Sequence, residues 1–102
     1  MRRFVLTPRA RQYLNDIWDY IADDNIEAAN RVLDALETAM VKLAKNPGIG
    51  HQREDLTDER HRFLLAYSYL IVYRRETKPL QIIRVLHAAR DVRSILGPPD
   101  EP

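Results

Sequence analysis

HRFLLAYSYLIVYRRETKPLQIIRVLHAARD, residues 61–91, decides the fold of this chain. It concentrates β-branched and aromatic residues in two apolar runs at residues 69–75 and 80–87 joined by the polar link Glu76-Thr77-Lys78-Pro79. A third run, residues 62–67, stands just before them. Runs of this length and composition, closed by Pro and charged residues, are strand signals. Strands so close in sequence pair antiparallel, which predicts a three-stranded antiparallel sheet. In Tyr69-Leu70-Ile71-Val72-Tyr73 both parities are apolar, as in a central strand covered on both faces. In the last run, regular alternation puts Leu80, Ile82, Arg84 and Leu86 on one face and Gln81, Ile83, Val85 and His87 on the other. An Arg among three aliphatic neighbours is out of place there.

Upstream of the sheet the pattern is helical. Asn46-Pro47-Gly48-Ile49-Gly50 stops a helix. The polar loop over 51–59 follows, with Ile49 and Leu56 expected to pin it to the body. The two glycines make no phosphate loop, since no Gly-Lys-Ser/Thr and no helix start follows them. Residues 26–45 carry the stripe Ala29, Val32, Leu33, Leu36, Met40, Leu43 and Ala44, one face of an amphipathic helix. Asp23, Asp24 and Asn25 before it are all capping residues. An earlier stripe, Ala10, Tyr13, Leu14, Ile17, Trp18 and Ile21, marks a first helix, with Thr7 as N-cap and Pro8 at its first position. So short a connection makes the two helices an antiparallel hairpin. Residues 3–6 form a short β-prone run, and Val92-Arg93-Ser94-Ile95-Leu96 a short C-terminal helix stopped by Gly97-Pro98-Pro99. The reading is an α+β chain: N-terminal strand, two-helix hairpin, three-stranded antiparallel sheet and short C-terminal helix. It is one domain over 1–102, with 97–102 a frayed tail.

Composition narrows the function classes. The 102 residues include no cysteine, which removes disulfides, thiolate catalysis and cysteine metal sites. No apolar stretch approaches the roughly 20 residues that span a bilayer, and no signal-peptide core develops before Thr7-Pro8, so a cytoplasmic protein without membrane partners is expected. The formal net charge of +1 hides an asymmetry. From Arg60 onward the bases are Arg60, Arg62, Arg74, Arg75, Lys78, Arg84, Arg90 and Arg93, against Glu76, Asp91, Asp100 and Glu101. Arginine binds phosphate, makes protein interfaces and caps helix ends.

His51, His61 and His87 show no metal-ligand spacing, so no metal and no cofactor are expected. Ser68 and Ser94 lack any nucleophile elbow. One constellation carries possible chemistry: Arg62, Arg74 or Arg75, Arg84, His87 and Arg90, with Tyr69 or Tyr73 nearby. Arginines holding a phosphate and a His or Tyr acting on a ribose 2′-hydroxyl would make a metal-free ribonuclease. Strand parity separates Arg84 from His87, however, and the strands offer no Glu to complete an acid–base pair.

The order strand, helix hairpin, sheet resembles the RelE/ParE superfamily of bacterial toxin–antitoxin toxins, and its ParE branch in particular. The resemblance is carried by Leu6-Thr7-Pro8-Arg9-Ala10, Ile17-Trp18-Asp19-Tyr20-Ile21, Asn46-Pro47-Gly48-Ile49-Gly50, Tyr69-Leu70-Ile71-Val72-Tyr73-Arg74 and Ile83-Arg84-Val85-Leu86-His87-Ala88-Ala89-Arg90-Asp91. It implies a growth-inhibiting toxin of the plasmid-stabilisation type that binds DNA gyrase and is neutralised by a ParD-like antitoxin. RelE-like relatives instead cut mRNA on the ribosome and usually carry Arg directly after the first Tyr of the sheet motif. Leu70 stands there in this chain, which favours the ParE branch. The resemblance implies a binding inhibitor and no catalytic residue, with Arg74, Arg84, His87, Arg90 and Arg93 meeting the target. Trp18, Ile21 and Leu33 would meet the antitoxin, and the toxin itself would make no sequence-specific DNA contact. In the nuclease alternative, His87, Arg84 and Arg74 would carry the reaction.

Overall fold

The computed structural model describes residues 4–50, 61–74 and 76–88. Its elements are β1 (Phe4–Leu6), α1 (Pro8–Ala22), α2 (Ile26–Lys45), a 3-10 turn at Pro47–Ile49, β2 (His61–Ala66), β3 (Tyr69–Arg74) and β4 (Leu80–His87). Both helices begin as the sequence predicts. Thr7 caps α1 by accepting from the Ala10 N–H, and Asn25 caps α2 by accepting from the Ala28 N–H. Lys42 and Lys45 sit in the last turn of α2, where the helix dipole favours cations.

The sheet corrects one expectation. It is a four-stranded mixed sheet in the order β1-β4-β3-β2, not a three-stranded antiparallel one. β3 is central and pairs antiparallel with β2 and β4, as expected, and Tyr69 to Tyr73 are all buried. β1, however, lies parallel beside β4, with Phe4, Val5 and Leu6 opposite Leu80, Gln81 and Ile82. The connection that this parallel pair requires runs through the helix hairpin and then through β2 and β3. A three-residue strand has too little pattern to reveal so distant a partner. The predicted run 62–67 also shifts by one: Tyr67 leaves β2 for a two-residue turn and takes a left-handed backbone, φ 55. The Ala88 N–H ties that turn to the end of β4 by donating to the Ser68 carbonyl at 2.8 Å. The predicted helix at 92–96 and Leu56 lie outside the described residues.

The main core forms where α1 and α2 cover one face of the sheet. Ala10 and Ile17 of α1 and Leu36, Met40 and Leu43 of α2 pack with Phe4, Tyr69, Ile71, Tyr73, Leu80, Ile82 and Val85. Phe63, Leu70, Val72 and Leu86 form a second buried cluster on the other face. The turn after α2 is locked to the core by Tyr73, whose side chain is fully buried. Its hydroxyl donates to the Pro47 carbonyl at 2.7 Å and accepts from the Gly50 N–H at 3.1 Å. Position 50 needs glycine for that approach: a Cβ there would run into the hydroxyl, with ring carbons at 2.8 Å. Ile49 packs against the same cluster.

Candidate functional site

Arg84 owes its orientation to an irregularity in β4. Tyr73 pairs with Ile82 and Val72 with Arg84, so Ile83 is an extra residue and the register shifts there. Such a β-bulge reverses the parity of everything beyond it. A regular strand would bring Arg84 opposite Ile71, in the helix-covered core. With the bulge, Arg84 lies opposite Val72, and Val85 takes the core position beside Ile71. This corrects the predicted face Leu80-Ile82-Arg84-Leu86: Leu80 and Ile82 face the helices, whereas Arg84 and Leu86 face away. The Arg that looked misplaced is in place.

Thr7 holds the bulge. Its hydroxyl accepts from the Ala10 N–H at 3.1 Å and donates to the Ile83 carbonyl at 3.0 Å. Its backbone N–H donates to the Ile82 carbonyl at 3.1 Å. One residue thus starts α1 and satisfies the two carbonyls at the irregularity. Sequence reasoning found the cap and missed the tether, because the carbonyl that the hydroxyl reaches lies 76 residues downstream.

Arg74 ends β3 on the same side of the sheet as Arg84. Across the strands it stands opposite His61 on β2 and Gln81 on β4. Ordinary sheet geometry puts such a diagonal pair of positions, Arg74 and Arg84, about 7–8 Å apart. The β3–β4 connection below them is clamped by Thr77, whose hydroxyl donates to the Arg74 carbonyl at 3.2 Å and accepts from the Gln81 N–H at 2.9 Å. The Arg74 Nε is buried, and among the described residues no acceptor reaches it. None of the four strands carries an Asp or Glu. Cationic side chains on this sheet therefore have no carboxylate on the strands to neutralise them.

His87 lies elsewhere. It ends β4 opposite Tyr69, and its ring meets the Tyr69 ring edge-on, with centroids 5.4 Å apart and planes at 86°. Tyr69 belongs to the helix-covered cluster, so His87 and Arg84 project to opposite faces. The residues His87, Arg84 and Arg74 are therefore divided, with the two arginines together and the histidine apart. Leu70 is buried opposite Leu86 on the arginine side. Arg90 and Arg93 lie outside the described residues. Among the described residues no three His or acidic side chains come together as a metal-binding group.

The helix hairpin offers a second feature. A groove of about 170 Å³ is lined by Phe4, Leu6, Leu14, Leu33, Leu36 and Met40, with Asp34 and Glu37 at its rim. Leu33 is half-buried in that lining. Ile21 packs against the main core from α1. Trp18 is half-buried and donates its indole N–H to the Asn30 side chain at 2.9 Å, tying α1 to α2.

Known proteins share this architecture and sequence. The solved structure described as "Chromosomal ParDE TA system from P. aeruginosa" superposes with a TM-score of 0.68 over 82% of this chain and 92% of that one, at 20% identity, a likeness of fold. Toxin ParE1 of Mycobacterium tuberculosis (strain CDC 1551 / Oshkosh) is 33% identical over 92 residues, which cover 88% of this chain and 93% of the relative. Toxin ParE1 of Caulobacter vibrioides (strain ATCC 19089 / CIP 103742 / CB 15) is 32% identical over 98 residues, 95% of this chain and all of the relative. Residues 4–92 match the family described as the ParE toxin of type II toxin–antitoxin systems, parDE, and the chain belongs to that family.

Proposed function

We propose that this ParE toxin inhibits DNA gyrase by direct binding and is neutralised by a ParD-like antitoxin. One observation carries the reading. The arginine side of the sheet joins Arg74 and Arg84 around buried apolar residues, while the single histidine of β4 is turned to the other face. That arrangement suits a binding surface, since general acid–base cleavage needs the proton-transferring group within hydrogen-bond reach of the substrate hydroxyl beside the held phosphate, and a histidine on the opposite face is turned away from it. Arg74 and Arg84 are the target-facing residues of that surface in this reading, with Arg90 and Arg93 proposed to join them, while His87 would meet the target from the other face at the end of β4.

The antitoxin end rests on the groove between β1 and the helix hairpin. Its apolar floor and acidic rim at Asp34 and Glu37 fit an amphipathic segment that brings Lys or Arg to the rim. Leu33 contributes to the floor directly. Trp18 and Ile21 set the hairpin geometry beside it. No described helix is long and apolar enough to cross a membrane, in keeping with action in the bacterial cytoplasm, where gyrase and the antitoxin are found.

Pulse expression in bacteria, with the DNA-damage response and mRNA integrity followed side by side, tests this function. Early induction of the damage response with intact mRNA is the expected result. Rapid mRNA cleavage without early DNA damage would overturn it in favour of a ribosome-dependent endonuclease, with His87→Ala as the decisive variant.

A further inference from the structure

We propose that Arg74 and Arg84 form a phosphodiester-binding site, so that the toxin grips the DNA held by its target as well as the target protein. The choice of DNA as the source of the phosphate rests on the gyrase reading above; the phosphate site itself does not.

The site is built before any ligand arrives. A buried guanidinium N–H without an acceptor is unfavourable, because its lost hydration is not replaced. The Arg74 Nε is in that state among the described residues. Its strand neighbours, His61 and Gln81, supply no anionic oxygen, and the whole sheet lacks a carboxylate. The bulge at Ile83, fixed by two bonds from Thr7, spends a ladder position to bring a second guanidinium onto the same face. Thr77 fixes the connection that carries both Arg74 and Gln81. Two guanidiniums carried from strand positions about 7–8 Å apart on the sheet diagonal exceed what one carboxylate can neutralise. They match the successive charges of a nucleic-acid strand, which arginine forks bind well. Backbone contacts of this kind carry no base sequence.

The test uses the full chain and fluorescence anisotropy with a labelled random-sequence duplex of about 20 base pairs and a single-stranded RNA of the same length, over a salt series. Binding to duplex DNA that weakens as salt rises is expected. Arg74→Gln and Arg84→Gln should each weaken it about tenfold and flatten the log–log salt slope by about 0.9. Arg84→Lys, which keeps the charge without the fork, should fall between wild type and Arg84→Gln. Arg31→Gln, on the exposed face of α2, should bind as wild type does. Wild-type binding by folded Arg74→Gln and Arg84→Gln would overturn the site. So would variants that lose affinity for DNA-free gyrase while the wild type shows no salt-dependent nucleic-acid binding, because the arginines would then be meeting protein carboxylates. Arginine-dependent binding with no gyrase inhibition, or with RNA preferred, would uphold the phosphate site and overturn the gyrase reading. Gyrase inhibition unchanged in both variants would overturn the grip on target-held DNA, because the toxin would then inhibit gyrase without these arginines.

Discussion

Replacing Thr7 with Val deletes one hydroxyl and keeps the branched shape of the side chain. That hydroxyl makes the α1 cap bond to Ala10 at 3.1 Å and the tether to the Ile83 carbonyl at 3.0 Å. Loss of a Thr cap typically costs about 1 kcal/mol. Loss of the donor to a part-buried carbonyl costs about 1 kcal/mol more. Both bonds share one hydroxyl, so the sum of about 2 kcal/mol is an upper estimate. In a chain near 100 residues that lowers Tm by about 8–16 °C. The Thr7 backbone N–H still reaches the Ile82 carbonyl, so the strand register should survive. Denaturant melts followed by circular dichroism would measure the loss, with Thr7→Ser as the control that restores both bonds. A Thr7→Val protein within about 0.5 kcal/mol of wild type would refute the double role. A Thr7→Ser protein as weak as Thr7→Val would refute it too, since the γ-methyl group and not the hydroxyl would then be responsible. With the register kept, Arg84 stays on its face, so Thr7→Val should lower stability while leaving Arg84-dependent activity of the folded protein largely unchanged.

Other substitutions probe separate parts of the account. Tyr73→Phe leaves the Pro47 carbonyl and the Gly50 N–H without their partner and should cost about 2 kcal/mol in a urea melt. Gly50→Ala should cost about 1–3 kcal/mol by overpacking, and the Tyr73→Phe background should soften that penalty, because the hydroxyl is the first atom the new methyl meets. Trp18→Phe loses the exposed bond to Asn30 and part of a half-buried ring, and should cost about 1 kcal/mol. Leu33→Glu places a charge in the apolar lining beside Asp34 and Glu37, and calorimetric titration with the antitoxin should show affinity falling by tenfold or more (about 1.4 kcal/mol).

The helices were legible because their signals are local. Thr7-Pro8 and Asn25 cap by reaching three residues along the chain, and the apolar stripes of α1 and α2 repeat within a turn. β3 was legible because apolar residues at both parities require cover on both faces. What stayed hidden depends on distant parts of the chain. Parallel pairing of β1 with β4 joins residues about 76 positions apart, through three residues whose composition names no partner. The bulge at Ile83 left a mark in the sequence, the Arg among aliphatics, yet the alternation rule presumes a regular strand and so put Arg84 and Leu86 with the wrong neighbours. Residue type alone singles out the arginines of the candidate site. Their joining on one face, the Thr7 tether and the Thr77 clamp emerge only when the strands are side by side.

The central claim is that this ParE toxin acts by binding gyrase and not by cutting RNA. Its most direct test is purified gyrase with relaxed plasmid DNA and increasing amounts of the full chain, beside translating ribosomes given the same amounts. The account predicts loss of supercoiling with accumulation of gyrase-linked DNA breaks, reversed by the antitoxin, and intact mRNA on the ribosomes. Undiminished supercoiling at excess toxin, with mRNA cut on the ribosome, would contradict it.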